Sequence, residues 1–413
     1  MPKFSEYRVS KNFSEKLCAW LENQDVGICF NGKGWNHDFD LLAGTGTHST
    51  AHTFDDALAL TAANKWVFCH LSYDLKNQLE KLTSDNPDSI GFPELFFFEP
   101  KFLFQLKDDQ LSVLTPGEAG VDVLIQEIES IPEKGITKIG VPNHRISHER
   151  YLSDVTQLQN HMQLGNIYQA NYCHEFYWDD VSISTSSLYS EGFKAMPNPF
   201  SVFYKLNEHH CVSFSPERFL QIKDDEIISQ PMKGTAPRSD DPNKDLQNLE
   251  ELKNSEKDRR ENVMIVDLVR NDLSHYAKKG SVDVPELYQV ETYPKVHQMY
   301  STVRAKLRDD IHPLHAILKA FPIGSMTGAP KIKAMELLEK YEHSKRGLFS
   351  GTIGYFTPDG KADFNVIIRG LLYNDSTKRL SCHAGGGITA LSDPEAEYEE
   401  TFIKARPIFD LIK

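Results

Sequence analysis

Short apolar segments bounded by turn residues recur along the chain, and they constrain its fold more than any other feature. Five of them lie before Gly120 and have the length and the β-branched or aromatic content of strands: VGICF, WVFCHLSYDL, ELFFF, KFLFQL and LSVLT. A helical pattern from Phe54 to Asn64 lies among them. The sequence therefore predicts a first part that mixes short strands with short helices.

The signals for individual elements are stronger in the rest of the chain. Ser147 precedes a helical period of apolar side chains that Gly165 ends, so a hydroxyl cap and a glycine stop frame one helix. One polar helix is predicted from Asp245 to Asp272, with its apolar residues concentrated in the second half. The stretch FSGTIGYFTPDGKADFNVIIRGLLY predicts a hairpin that turns at TPDG, residues 357–360.

Proline and glycine concentrate between residues 132 and 146, which indicates a connection between two parts of the chain. The predicted organisation is an N-terminal segment, 1–131, then the connection, 132–146, then a main domain, 147–413. A chain of 413 residues is long enough for several average domains or for one large α/β unit. Composition does not choose between these alternatives.

Charge and cysteine content exclude several classes of protein. The net charge of -14 argues against a general nucleic-acid binder, because phosphate contacts need a basic surface. The six cysteines lie singly, without the CxxC spacing of a zinc site. No continuous apolar segment starts the chain, and the most apolar stretch, FPELFFFEPKFLFQL, is interrupted by charges and prolines. We expect a cytoplasmic protein without a membrane segment.

Two acidic pairs have the spacing of one helix face: Asp258 with Glu261, and Glu397 with Glu400. Two such faces that meet could hold Mg²⁺, which prefers oxygen ligands and leaves positions for substrate oxygens. Either pair alone has a simpler explanation, because Glu397 lies in the first turns of a predicted helix, where acidic residues complement the helix dipole. Spacing alone leaves both interpretations open.

Glycine-rich segments offer two candidate anion sites. Gly385, Gly386 and Gly387 follow the predicted strand LSCHA, and their backbone N–H groups could turn toward a carboxylate or phosphate. A flexible turn is the alternative there. The segment from Gly324 to Lys331 leads into a helix N-terminus, although its spacing is not that of a P-loop.

Lys233, in PMKGT, follows the predicted strand at residues 226–230, and Glu217 lies a short distance before it. An amine and a carboxyl that face one pocket could supply a nucleophile and a proton donor. Simple alternatives are a solvated lysine and a surface ion pair. Arg369 and Lys404 are basic residues near the acidic pairs, and Lys404 could equally form a helix salt bridge with Glu400, four residues before it.

Taken together, these segments resemble the chorismate-utilising enzymes, which include anthranilate synthase, aminodeoxychorismate synthase, isochorismate synthase and salicylate synthase. The similarity runs from about Ser147 to Ala405 through GNIYQAN, SPERF, QPMKGTAPR, DRRENVMIVDLVRND, GSMTGAPKIKAME, FSGTIGY, NVIIRG and AGGGITALSDPEAEYEET. The resemblance implies an α+β fold in which two large, mostly antiparallel sheets pack as a sandwich with helices outside. The main domain would then bind chorismate.

The resemblance also implies roles for the acidic residues and for Glu217. Glu261 and Glu400 would bind Mg²⁺ directly, and Asp258 and Glu397 would support them through water. The ion would bind the ring carboxylate of chorismate and help the 4-hydroxyl to leave. Glu217 matches the general acid that protonates this hydroxyl.

The remaining site residues are implied to bind the substrate. Arg369 would bind the enolpyruvyl carboxylate, and His297 matches a family histidine near the ring. The ring carboxylate would be held by backbone and side-chain groups of Ser325, Gly385, Gly386, Gly387 and Lys404. Phe349 replaces a tyrosine of many relatives, so a hydroxyl contact at that position is not expected.

Two positions separate the subfamilies. Enzymes that add water to the ring resemble one another in having a lysine where this chain has Gln169, and anthranilate synthases typically have alanine where it has Lys233. The resemblance is therefore to the aminodeoxychorismate synthases, in which this lysine is thought to attack C2 of chorismate before ammonia enters at C4. We expect burial and the neighbouring Mg²⁺ to lower the pKa of Lys233 from its ordinary value of about 10.4.

The product implied is 4-amino-4-deoxychorismate, a precursor of p-aminobenzoate and folate. No GxCxG motif surrounds a cysteine, so a separate glutamine amidotransferase would supply the ammonia. Anthranilate synthase component I is the nearest alternative. A non-catalytic chorismate-binding protein is an alternative of another class.

Overall fold

The computed structural model describes residues 5–33, 37–115, 120–132 and 134–413. The predicted segment 1–131 and the predicted connection include residues 1–4, 34–36, 116–119 and 133, which lie outside these ranges. The described strands, in chain order, are β1 (Ser5–Arg8), β2 (Val26–Asn31), β3 (Leu41–Thr45), β4 (Ser49–Ala51), β5 (Val67–Leu71), β6 (Leu95–Glu99), β7 (Phe102–Lys107), β8 (Gln110–Leu114), β9 (Asn143–His144), β10 (Gln169–Trp178), β11 (Phe200–Leu206), β12 (His209–Ser215), β13 (Arg218–Lys223), β14 (Glu226–Gln230), β15 (Met232–Pro237), β16 (Asp283–Thr292), β17 (Val296–Lys306), β18 (Gly328–Ala329), β19 (Thr352–Phe356), β20 (Ala362–Asn365), β21 (Gly370–Asn374) and β22 (Arg379–Thr389).

Helices lie between these strands. They are α1 (Phe13–Leu21), α2 (Phe54–Thr61), α3 (Lys76–Leu79), α4 (Val121–Glu129), α5 (His148–Gln163), α6 (Thr185–Ala195), α7 (Pro242–Asn254), α8 (Glu256–Ser274), α9 (Pro313–Ala320), α10 (Lys331–Tyr341) and α11 (Pro394–Ile412), with short 3-10 turns at Tyr73–Leu75 and Gly324–Met326. Within the described ranges, none of these helices is both long enough and apolar enough to cross a membrane.

The described strands form two antiparallel sheets. The first sheet has the order β1-β8-β7-β3-β2-β11-β12-β21-β22-β10-β18, and β9 pairs with β10 at its side. The second sheet has the order β15-β17-β14-β13-β20-β19-β5-β6-β4, and β16 pairs with β17. The α+β prediction with two large sheets is therefore confirmed.

Strands from the first part of the chain enter both sheets. In the first sheet β2 pairs with β11, and in the second sheet β5 pairs with β19. The first part therefore completes the same body as the rest, and the boundary placed at residues 132–146 stays a prediction.

Apolar side chains from both sheets meet in one core. The rings of Phe30 on β2 and Phe68 on β5 stack across it with centroids 6.2 Å apart, and Val202 and Leu220 are buried in the same cluster. Each fully buried side chain of this size stabilises the fold by about 1.5–3 kcal/mol. A second cluster lies between the other face of the first sheet and helices that include α1, α6 and α11.

Two local predictions for the second half are confirmed, and a third is wrong. Ser147 caps α5 by accepting the backbone N–H of Arg150, and the hairpin of β19 and β20 turns at residues 357–360. The single polar helix predicted from 245 to 272 is two helices, because Ser255 is extended between α7 and α8. Its hydroxyl accepts the backbone N–H of Asp258, which starts α8 anew.

Candidate active site

The lysine corner, residues 232–235, is a bulge in the second sheet. The ladder between β15 and β17 gains one extra residue on β15 between Met232 and Thr235. Gly234 has a φ of 86°, a left-handed conformation that glycine adopts without strain. A bulge of this kind turns a side chain out of the alternating pattern of its strand. The bulge therefore decides where Lys233 points.

The amine of Lys233 reaches the glycine strand of the first sheet. Its Nζ lies 3.1 Å from the point that a Cβ on Gly387 would occupy, and the amide nitrogen of Gln169 lies 2.5 Å from that point. Burial lowers the pKa of Lys233, and the charge of Lys404 lowers it further, against the opposing effect of Glu261 and other carboxylates. The lowered pKa expected from the sequence is confirmed in direction, and it favours the uncharged, nucleophilic amine.

Glu217 immediately precedes β13 and lies close to the lysine corner. Its carboxyl is buried and accepts a hydrogen bond from the hydroxyl of Ser325 at 2.7 Å. Burial raises the pKa of Glu217 to about 7, although Ser325 and Lys233 act in the opposite direction. At neutral pH this group can therefore both hold and release a proton.

On α8, Asp258 and Glu261 face the lysine corner. A Cβ on Gly234 would lie 2.9 Å from Asp258, so only glycine allows the corner to approach the helix this closely. Burial raises the pKa of Glu261, and the like charges of Asp258 and Glu397 add to this effect. Glu397 of the second pair therefore influences Glu261 of the first, and the shared metal site of the two pairs stays a prediction.

On α11, the second pair has partners of its own. Glu397 is buried and accepts the hydroxyl of Ser392 at 2.8 Å, while burial and the charge of Glu400 raise its pKa. Glu400 forms an ion pair with Lys404 at 2.6 Å. Burial alone would raise the pKa of Glu400, but Lys404 lowers it below the ordinary value.

The glycine segment at 385–387 is part of β22, so the alternative of a flexible turn is wrong. Gly385, Gly386 and Gly387 pair in register with residues 171–173 of β10, so their backbone is extended and bonded within the sheet. A Cβ on Gly386 would lie 2.8 Å from the carboxylate of Glu397. Lys404 donates to the carbonyl oxygen of Gly385 at 2.8 Å. The glycines make room for charged side chains on both faces of the strand.

The donor set of the two helices fits Mg²⁺. Four carboxylates supply hard oxygen ligands. Burial is the main cause of the raised pKa of Glu261 and of Glu397, and neighbouring carboxylates add to it in each case. Within the described ranges, no three His, Cys, Asp or Glu side chains stand close enough to hold a metal ion as they lie. Glu400 is held by Lys404 instead. The metal assignment therefore rests on donor chemistry and stays a prediction.

Arg369 and His297 lie in different surroundings. Arg369 donates to the side-chain oxygen of Gln298 at 3.4 Å, and its pKa is lowered by burial, with Tyr293 and Glu217 opposing this effect. His297 is buried on β17, and its two ring nitrogens contact Thr292 at 3.0 Å and Asp245 at 3.1 Å. Thr292 is on β16 and Asp245 is on α7, so the ring of His297 contacts these two elements, and its role near the substrate ring stays a prediction.

Sequence reasoning missed Gln298 and Lys257. Neighbouring side chains alternate along a strand, so Gln298 faces the lysine corner because His297 faces away. That alternation was the available signal. The charge of Lys257 on α8 lowers the pKa values of Glu261, Glu397 and Glu400, but no motif in the sequence singles it out. Phe349 stacks on His383 with ring centroids 5.2 Å apart.

One family of known proteins matches this chain over most of its length. The family of chorismate binding enzymes matches residues 18–410, which is most of the chain. The chain therefore belongs to the chorismate binding enzyme family.

Two similar proteins carry the name aminodeoxychorismate synthase. An aminodeoxychorismate synthase of Streptomyces griseus is 36% identical over 98% of this chain and 54% of its own length. Aminodeoxychorismate synthase component 1 of Escherichia coli (strain K12) is 35% identical over 81% of this chain and 74% of its own length. The chain thus spans about half of the first relative and three quarters of the second.

The fold is shared with a solved enzyme. The crystal structure of anthranilate synthase component I from Streptococcus pneumoniae TIGR4 superposes with a TM-score of 0.75. The two chains are 22% identical, and the match covers 99% of this chain and 93% of the other. At this identity the match confirms the architecture of two packed sheets.

Proposed function

We propose that this chain is the chorismate-aminating component of an aminodeoxychorismate synthase. The observation that carries the proposal is the amine of half-buried Lys233, which lies at a bulge beside the glycine strand and within electrostatic reach of Glu217 and Glu261. Its relatives named aminodeoxychorismate synthase support the same activity. The product would be 4-amino-4-deoxychorismate, which leads to p-aminobenzoate and folate.

The proposed reaction has two steps, and each step forms one bond to the ring, breaks another and transfers one proton. The uncharged amine of Lys233 forms a bond to C2 of chorismate, the ring double bonds shift, and the C4–O bond breaks. Glu217 gives its proton to the departing hydroxyl, which leaves as water. Ammonia then bonds to C4, the double bonds shift back, and the C2–N bond to Lys233 breaks. The new ammonium group returns a proton to Glu217.

Binding would depend on both signs of charge. Glu261 and Glu400, with Asp258 and Glu397 in support, would hold Mg²⁺, which neutralises the ring carboxylate of chorismate when it is bound. Ser325, Lys404 and the glycine strand 385–387 would face that carboxylate. Arg369 would take the enolpyruvyl carboxylate. An acidic chain could bind a dianion in this way.

Ammonia would come from a separate glutamine amidotransferase subunit. The component 1 designation of the Escherichia coli relative supports a second component. With ammonium salt in place of that subunit, the isolated chain should still aminate chorismate.

The test is product identification with purified protein, chorismate, ammonium salt and Mg²⁺. We expect a product that gives p-aminobenzoate only after an aminodeoxychorismate lyase is added. Fluorescent anthranilate without the lyase would identify an anthranilate synthase instead. Magnesium-dependent chorismate binding without any turnover would indicate a non-catalytic protein.

Lys233→Ala should reduce the amination rate by at least about 100-fold, because the nucleophile is removed. Glu217→Gln should slow loss of the 4-hydroxyl by about 100-fold or more, because the proton donor is removed. Lys413→Ala, at the exposed end of α11, is the matched control and should keep the parent rate. Full activity of both Lys233→Ala and Glu217→Gln would refute the assignment of roles.

A further inference from the structure

Gln298 links two parts of the site that no backbone hydrogen bond connects. Its side chain is 4% exposed and makes three hydrogen bonds. The amide nitrogen donates to the carbonyl oxygen of Gly234 at 2.7 Å. The amide oxygen accepts the hydroxyl of Thr235 at 2.9 Å and a guanidinium N–H of Arg369 at 3.4 Å.

These bonds replace a part of the sheet that the bulge removes. Between Met232 and Thr235 the ladder of β15 and β17 is out of register, so the backbone there lacks regular partners. A backbone carbonyl without a partner is costly when it is removed from water, and the amide of Gln298 satisfies that of Gly234. The Gln298 side chain therefore supplies the Gly234 carbonyl with the hydrogen bond that the sheet does not provide at the lysine corner.

The lysine corner is held from two directions. Asp258 of α8 packs against Gly234 on one side, and the planar amide of Gln298 holds the corner from β17 on the other. Because one amide group bonds both the corner and Arg369, the distance between the corner and the guanidinium is fixed within the length of a single side chain.

We propose that Gln298 is a positioning residue, which holds the lysine corner and Arg369 in one arrangement. The roles of Lys233 and Arg369 in this arrangement rest on the proposed function. Gln298 itself acts through them, since both acceptor positions of its amide oxygen and one of the two N–H donors of its amide nitrogen are used by protein groups.

The test replaces Gln298 with leucine, which has a similar size and no polar atom. In Gln298→Leu, Arg369 loses an acceptor that orients it, so chorismate should bind about tenfold more weakly in the presence of Mg²⁺. The released corner should exchange its backbone amides about tenfold faster, in the peptide covering residues 231–237. Calorimetry of chorismate binding and hydrogen exchange by mass spectrometry measure these two effects, and neither needs turnover.

Gln221→Leu is the matched control. Gln221 is a half-buried glutamine of the same sheet, and its amide donates to Asp363 at 3.1 Å, away from the lysine corner. This variant should leave both chorismate affinity and exchange at residues 231–237 within twofold of the parent values.

Thr235→Val is a second variant, for the case in which Gln298→Leu does not fold. Thr235 is exposed, and valine removes only the hydroxyl that donates to Gln298. Exchange at residues 231–237 should rise about threefold, while chorismate affinity should change less than in Gln298→Leu.

Three results would overturn the positioning role. The first is that Gln298→Leu stays within twofold of the parent in both chorismate affinity and amide exchange. The second is that amide exchange in Gln298→Leu becomes faster evenly over all peptides. The third applies if Gln298→Leu does not fold, and it is that exchange in Thr235→Val is unchanged. Failure of the proposed function is a separate outcome. If the parent protein binds chorismate but makes another product, the proposed amination is refuted. The positioning role of Gln298 is then still decided by the chorismate binding and amide exchange of Gln298→Leu.

Discussion

Helices α8 and α11 each present two carboxylates three residues apart, yet the two faces are not electrostatically alike. On α11, Glu400 has a cation of its own in Lys404, and its pKa is lowered. On α8, burial and like charges raise the pKa of Glu261. Equal spacing therefore leaves the two carboxylates in different surroundings, because Glu400 is paired with Lys404 whereas burial of Glu261 outweighs the effects of Lys233 and Lys257.

The largest effect is expected when each face loses its proposed metal ligand. Glu261→Gln and Glu400→Gln should each lower the Mg²⁺-dependent amination rate by at least about 100-fold, because a neutral amide is a poor ligand for this ion. Initial rates measured against Mg²⁺ concentration check this. Glu399→Gln, an exposed neighbour on α11, is the control and should keep the parent rate. A variant of either ligand that retained more than half of that rate would contradict the metal assignment.

The contact between α8 and the lysine corner distinguishes α8 from α11, and Gly234→Ala should break it. The left-handed backbone costs about 1–2 kcal/mol with any side chain, and the new Cβ would also meet Asp258 at 2.9 Å. We expect kcat/KM to fall by about tenfold or more. Gly280→Ala is the control, because Gly280 has a φ of 75° and open space around it. Equal losses in the two variants would show that the Asp258 contact is unimportant.

Without added Mg²⁺, Glu261→Gln on α8 and Glu400→Gln on α11 should change the stability of the protein in opposite directions. A raised pKa means that the folded state holds the proton more tightly, so ionised Glu261 destabilises the fold at neutral pH, and Glu261→Gln should raise the Tm at pH 7. This gain should disappear as the pH falls below the ordinary carboxyl range. Glu400 has a lowered pKa, so its contribution is present at neutral pH and is lost as the pH falls through its folded pKa.

Glu400→Gln should therefore lower the Tm at pH 7. The effect should be at most about 1 kcal/mol, because the ion pair with Lys404 is partly exposed. Thermal unfolding at pH 7 and at about pH 4, below the ordinary carboxyl pKa, measures both variants. A shift of the same sign in both would remove the distinction between the faces.

Ser392→Ala should give the smallest change, and it makes the α11 face more like the α8 face. Loss of the hydroxyl bond to Glu397 should raise the pKa of Glu397 further and destabilise the protein by about 0.5 kcal/mol. As the pH is lowered, the Mg²⁺ affinity of the variant should therefore begin to fall at a higher pH than that of the parent protein. Ser274→Ala, an exposed serine at the end of α8, is the control. An unchanged pH profile of Mg²⁺ affinity would show that Ser392 does not tune this carboxyl.

Much of the local structure was predictable because it depends on neighbours in sequence. The Ser147 cap, the hairpin turn at residues 357–360 and the shared face of each acidic pair all follow from helical and strand periods. The break at Ser255 was missed, because a serine inside a polar helical pattern does not itself reveal that its hydroxyl will start a new helix.

The sequence by itself determined which chemical groups this protein has and which of them share a face of one element. Tertiary structure alone decided that the glycines at 385–387 form a strand, that the bulge aims Lys233 toward them, and that Gln298, not His297, faces the lysine corner. The physical reason is that periodicity acts within an element, whereas burial, pairing register and the approach of distant charges arise only when elements pack. The lowered pKa of Lys233 and the raised pKa of Glu217 are consequences of that packing.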